Sequence, residues 1–150
     1  MTNNDVLRSV RFLLGLNDGA IADLVRLGGG TVSPLQAIAW LRPDDEPGFA
    51  PCPDLEMAQF LEGVVVHKRG KDPSRPARAL PARITNNLVL KTLRVAFALK
   101  EDDLLTMLHA SGFEVSRGEL SALFRAPDHR NYRPCGDQFL RNVLKSLGER

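Results

Sequence analysis

Asp128, His129, Tyr132, Cys135 and Asp137 stand within ten residues of one another, in the segment Arg125-Ala-Pro-Asp-His-Arg-Asn-Tyr-Arg-Pro-Cys-Gly-Asp137. A cysteine and a histidine in one loop are the minimal equipment of a nucleophilic site, with the thiolate as attacking group and the imidazole as its base. Arg130 and Arg133 beside Tyr132 suggest a different use. Cations around an aromatic ring are the side chains that carry binding energy at protein interfaces, and they also hold anions. The segment is therefore read as a protein-binding loop, with a small-molecule or hydrolytic site over 125–137 as an alternative.

An internal counterpart helps to choose. The segment Arg42-Pro-Asp-Asp-Glu-Pro-Gly-Phe-Ala-Pro-Cys-Pro-Asp54 lies 83 positions earlier. Arg42 meets Arg125, Asp45 meets Asp128, Phe49 meets Tyr132, Cys52 meets Cys135 and Asp54 meets Asp137. Glu46 stands where His129 does, so the Cys–His pair is not a feature of both copies. The chain has no serine in an elbow motif and no glycine-rich phosphate loop. Where the first loop has Pro47 and Ala50, the second has Arg130 and Arg133, which turns an acidic, apolar loop into a cationic, aromatic one. That change is hard to assign to folding, because the flanking residues are kept.

The match extends over residues 3–67 and 86–150 without a gap. Asn3, Asn4, Leu7, Arg11, Leu16, Gly29, Val32, Ser33, Ala39 and Leu61 also recur at the same offset. Chance would give roughly 4 or 5 identities in all over such a stretch. The chain is a tandem duplication, divided into a first repeat over 1–70, a Pro-rich basic linker over 71–83 and a second repeat over 84–150.

Each repeat reads as four helices. In the first, Asn4 is placed as a cap, with Leu7, Val10 and Leu14 on one face. Asp18 to Leu27 follows and stops at three glycines. Ser33-Pro34-Leu35-Gln36 is a capping box with proline in the first turn, opening a helix that runs to Leu41. Asp54 is expected to cap the last helix, whose stripe is Met57, Phe60, Leu61 and Val64 and whose final turn is basic before Gly70. The second copy repeats this plan from Asn87, with Asp137 as cap and Leu140, Val143, Leu144 and Leu147 as its last stripe. Nothing alternates as a strand would. The fold expected is all-α, two four-helix repeats packed with pseudo-two-fold symmetry.

Composition fits a globular chain, with 43% apolar and 25% charged residues and a net charge of +2. No apolar run is long enough to span a bilayer, and the N-terminal residues do not read as a signal peptide, so a cytoplasmic location without membrane attachment is expected. Reduced, packed thiols follow for Cys52 and Cys135. The three histidines show no ligand spacing, so neither a metal nor another cofactor is read. Lys68 to Arg83 holds six basic residues and one acid, the mark of a solvated linker that could also meet a phosphate backbone.

Two further groups bear on function. Arg11 and Arg94 share one repeat position, as do Arg42 and Arg125. The expectation is that Arg42 and Arg125 pair with Asp45 and Asp128 and pin each loop to its helices. Residues 104–125 read as a helix, a glycine turn and a short second helix, similar to a helix-turn-helix, so nucleic-acid binding through that segment and the basic linker is the second functional reading. Its second helix offers Arg117 and Arg125 but also Glu119.

The patterns Asn-Asn-x-x-Leu-(Arg/Lys)-x-(Val/Leu)-Arg, Lys68-Arg-Gly-Lys-Asp72, Arg125-Ala-Pro-Asp-His129 and Cys135-Gly-Asp-Gln-Phe-Leu-Arg141 resemble the YehS-like bacterial proteins over essentially the whole chain. That resemblance implies a small bacterial cytoplasmic protein with a duplicated domain of unknown function, and no catalytic residues to transfer. The residues expected to bind are Arg125, Asp128, His129, Arg130, Tyr132 and Arg133, together with Arg94, Arg11 and Arg42. The partner expected is a protein.

Overall fold

In a computed structural model, which describes residues 1–71, 74 and 79–150, the chain forms eight helices and, among those residues, no strand. They are α1 (Asn3–Leu14), α2 (Asp18–Leu27), α3 (Pro34–Leu41), α4 (Asp54–Arg69), α5 (Asn86–Ala96), α6 (Glu101–Ala110), α7 (Arg117–Ala122) and α8 (Asp137–Gly148). The chain divides into two compact units, Met1–Ile84 and Thr85–Arg150, each holding four helices. The Pro-rich basic linker expected over 71–83 falls largely on residues outside those described.

Local chemistry sets the helix starts. Ser33 and Gln36 close a reciprocal capping box, and Ser116 and Glu119 close the equivalent one. Two starts differ from the sequence reading. Thr2, not Asn4, caps α1: its hydroxyl accepts from the Asp5 N–H at 3.1 Å, and the Asp5 carboxylate accepts from the Thr2 N–H at 2.9 Å. That backbone donor is the first cause holding the Asp5 carboxyl below its ordinary value. Thr85, not Asn87, caps α5 by accepting from the Leu88 N–H at 3.1 Å. In both copies the capping residue precedes the paired asparagines, which leaves their amides for other work.

Each unit buries its own apolar set. In the first, α2 packs on α3 and α4, and α1 on α3. Leu7, Val10, Ile21, Val25, Met57 and Phe60 are fully enclosed. In the second, α8 packs on α5 and α6, with Leu90, Leu93, Leu104, Leu108, Leu120 and Leu140 enclosed. The stripes expected on the last helix of each repeat, Met57-Phe60-Leu61-Val64 and Leu140-Val143-Leu144-Leu147, are buried throughout. The basic last turn of α4 and Gly70 beyond it, at φ +78°, end that helix as the sequence suggested.

Candidate functional site

The loop after the third helix of each repeat is held from inside by asparagine. Asn4, 3% exposed, donates to the carbonyls of Trp40 (2.9 Å) and Ala50 (3.0 Å) and accepts from the Cys52 N–H at 3.0 Å. One side chain thus joins the end of α3 to the returning strand of loop. Asn87 does the same in the second copy. It donates to Leu123 and Arg133 carbonyls, both at 2.9 Å, and accepts from the Cys135 N–H at 2.8 Å. The neighbouring asparagines finish the clamp. Asn3 donates to the Cys52 carbonyl and to Asp54, and Asn86 to the Cys135 carbonyl and to Asp137.

The loops also share their internal turns. Glu46 N–H donates to Pro43, Phe49 to Glu46 and Ala50 to Ala39; at the matching places His129 donates to Ala126, Tyr132 to His129 and Arg133 to Ala122. Main-chain path is therefore common to both copies, and only the exposed side chains differ. Asp54 and Asp137 are first-turn acceptors for the asparagines, not caps as expected. Pro53 and Gly136 occupy the cap positions and have no side-chain cap bond.

The arginine anchors expected for these loops are not formed. Among the described residues neither Arg42–Asp45 nor Arg125–Asp128 makes an ion pair. The asparagine clamp already satisfies the loop backbone, so no cation is needed there. In the first copy a different arginine reaches the loop: Arg8 bonds the Arg42 carbonyl at 3.0 Å, Asp44, and Asp5 at 3.0 Å. The sequence carried no sign of that role, since the matching residue is Lys91 and Asp44 is matched by Pro127.

Arg11 pairs with Asp18 at 2.7 Å and ties α1 to the start of α2. Arg8, Arg11 and Arg42 line one open cleft of about 450 Å³ with Asp18, and two of the three arginines are spent on these acids. Arg94 is equally occupied. It donates to the Leu99 carbonyl at 3.2 Å and its guanidinium lies 4.6 Å from the centre of the Phe124 ring.

Arg130, Tyr132 and Arg133 do come together. They line a cleft of about 350 Å³ with Gly118, Glu119 and Ala122 of α7. Arg130 and Arg133 are exposed, Tyr132 is half-buried, and neither arginine has an ion pair among the described residues. Asp128 and His129 lie exposed at the loop's edge, and Arg125 is half-buried. The sequence reading missed Gly118 and Ala122 as cleft walls. The recurrence of Asn4 as Asn87 was the available signal for the clamp.

Cys135 is buried, with Sγ against the Gly136 carbonyl at 3.5 Å, and His129 Nδ1 accepts from the Asn131 N–H at 3.0 Å. Burial pushes the Cys135 thiol up to about 11, with Asp137 adding to it, and Cys52 up to about 12, with Glu56 and Asp54 adding. Both thiols are free, packed and protonated at neutral pH. In the helix-turn-helix-like segment, α7 has six residues, and its Arg117 is held by Asp102 and, at 3.6 Å, by Glu101.

These features define a duplicated all-helical protein in which one backbone-clamped loop is presented twice with different side chains. The chain belongs to the family described as "Protein of unknown function (DUF1456)", whose model matches residues 3–70 and again 86–150. It is similar to the "Uncharacterized protein YehS" of Escherichia coli (strain K12), 49% identical over 150 residues, which covers 100% of this chain and 96% of that protein. No solved structure matches it. Among the described residues no helix is long and apolar enough to cross a membrane.

Proposed function

We propose that the protein is a non-enzymatic interaction module of the cytoplasm, whose second-repeat loop holds an acidic segment of a protein partner. One observation carries this reading. Arg130 and Arg133 stand exposed and line one cleft with the half-buried Tyr132, without ion pairs among the described residues, on a loop whose path is fixed from behind by Asn87. Arg8, Arg11, Arg26 and Arg117, by contrast, are matched by carboxylates within their own unit. Unmatched cations beside an aromatic ring are the composition of an interface anchor. The buried, protonated Cys135 speaks against nucleophilic catalysis at this loop, and the paired Arg117 against base reading by α7.

The test is affinity capture from bacterial lysate, with and without nuclease treatment, with the wild type and an Arg130→Ala, Arg133→Ala variant. The variant is expected to keep its helicity and melting temperature and to lose the proteins captured by the wild type. Equal recovery by both overturns the reading. Captured material that disappears with nuclease moves the assignment to nucleic acid.

A further inference from the structure

The first repeat carries the complementary surface. Beside α3 a groove of about 420 Å³ opens, bounded by Val32, Leu35, Trp40, Pro51, Pro53 and Glu56. It shares four repeat-equivalent positions with the cleft of the second repeat: Leu35 with Gly118, Gln36 with Glu119, Ala39 with Ala122 and Ala50 with Arg133. The two diverge towards the start of the last helix. Where the first repeat has Glu56 the second has Phe139, which is buried and meets Phe113 edge-on at 5.4 Å between ring centres. Phe113 in turn stands where the first repeat has Gly30. The groove of the first repeat reaches Val32 and Glu56, while the space beside Gly30 is taken by the side chains of Gln59 and Val25.

Exposure follows the same division. Leu35 is 79% and Leu55 55% exposed, and their counterparts are Gly118 and Gln138. Paired apolar faces of two first repeats would bury these side chains, but charge opposes that arrangement. Residues 3–67 hold 4 Lys/Arg against 9 Asp/Glu, a balance of −5, with Glu56 in the groove itself. Residues 86–150 hold 10 Lys/Arg against 8 Asp/Glu, a balance of +2. A largely apolar groove edged by Glu56, in a repeat of net negative charge, calls for an aromatic residue flanked by cations. Arg130-Asn131-Tyr132-Arg133 has that composition.

We infer that the chain associates with itself head to tail, the loop at 129–133 of one copy seating against the α3–α4 groove of a second, with an arginine turned to Glu56. The contact is heterologous, one surface on each partner. This rests on the reading of that loop as the contact surface.

Sedimentation velocity of the full chain, over a range of concentrations at low and high salt, tests it. Expected is a concentration-dependent rise in sedimentation coefficient that weakens with salt. Glu56→Arg alone and Arg130→Glu, Arg133→Glu alone should each sediment as monomers, with helicity and melting temperature near wild type. Mixed in equal amounts they should recover a dimer, since each supplies the surface the other lacks. A wild type that stays monomeric at the highest concentration and lowest salt, variants that associate as the wild type does, or a mixture that recovers nothing each overturn the inference. If the wild type is monomeric while the Arg130→Ala, Arg133→Ala variant still loses its captured proteins, the loop reading stands and self-association alone falls.

Discussion

The two repeats clamp their loops with the same atoms but join their helices by different means. In the first, α2 and α4 meet backbone to backbone. A β-carbon on Gly63 would lie 1.8 Å from the Leu24 carbonyl oxygen, and one on Gly28 would lie 1.7 Å from that of Gln59. In the second, Ser111 and Ser146 stand at these positions. Duplication thus kept the device that shapes the loop and left both the core joint and the loop's exposed side chains open to change. The invariant part holds the fold, and the variable part is where the functional reading lies.

The sharpest way to break this contrast is at the glycine joint. Alanine in a helix interior is ordinarily worth about 1 kcal/mol more than glycine. At Gly63 the added carbon forces two backbones apart, so Gly63→Ala is expected to destabilise by about 3 kcal/mol, at the upper end of overpacking costs. Ser146→Ala at the matching place should be neutral or slightly stabilising, by up to about 0.5 kcal/mol. Urea midpoints of the two variants check this. Equal effects would mean that the two helix joints are not different in kind.

The next effect is at the clamp. Asn4→Ala leaves two carbonyls and one N–H without partners in a buried setting, and a loss of roughly 3 kcal/mol follows from the cost of unsatisfied groups. Asn87 is half-buried, so water can replace part of its bonding, and Asn87→Ala should cost roughly 2 kcal/mol. A variant of Asn4 that melts with the wild type would remove the clamp from the account.

These residues also mark how far the sequence could be read. Capping boxes at Ser33 and Ser116, the stripes on the last helices and the duplication itself were legible, because each depends on local spacing. The clamp was not. An asparagine near a helix start reads as a cap, and only the helix beginning at Thr2 and Thr85 turns Asn4 and Asn87 inward. Gly63 lay inside a helical pattern with nothing to signal a backbone crossing. The expected Arg42–Asp45 and Arg125–Asp128 pairs rest only on nearness along the chain; neither forms among the described residues, and the loop carbonyls are held by asparagine. Within the candidate site, Arg130, Tyr132 and Arg133 were visible as a departure from the repeat. Their wall on α7 required the folded chain.

A smaller difference should appear in alkali. The Cys52 thiol is raised to about 12 and Cys135 to about 11, from an ordinary 9.0. Above pH 9 the unfolded chain loses these protons while the folded chain keeps them. Their contribution to stability is therefore complete below pH 9 and is lost as pH rises towards the folded values. Replacing either cysteine with alanine should flatten the fall in urea midpoint between about pH 8 and pH 10 to nearly the same extent, and the two variants should part only towards about pH 11, where Cys135 starts to ionise in the folded chain and Cys52 does not. Identical slopes for the two variants and the wild type would show that both thiols ionise as freely folded as unfolded.

The smallest expected effect on stability bears most on function. Arg133 is fixed through its main chain, its N–H on the Ala122 carbonyl and its own carbonyl on Asn87, while its side chain is exposed. Arg130 is exposed at the loop tip. Surface changes away from caps, cores and paired charges usually fall within about 0.5 kcal/mol, so Arg130→Ala, Arg133→Ala should leave the urea midpoint nearly unmoved. Arg8→Ala in the first repeat is the control. It removes bonds to Asp5, Asp44 and the Arg42 carbonyl, and it should cost about 1 kcal/mol. The comparison is between arginines that serve the fold and arginines that do not. If the second-repeat pair destabilises as much as Arg8 does, its cations are structural, and the argument that they face a partner loses its ground.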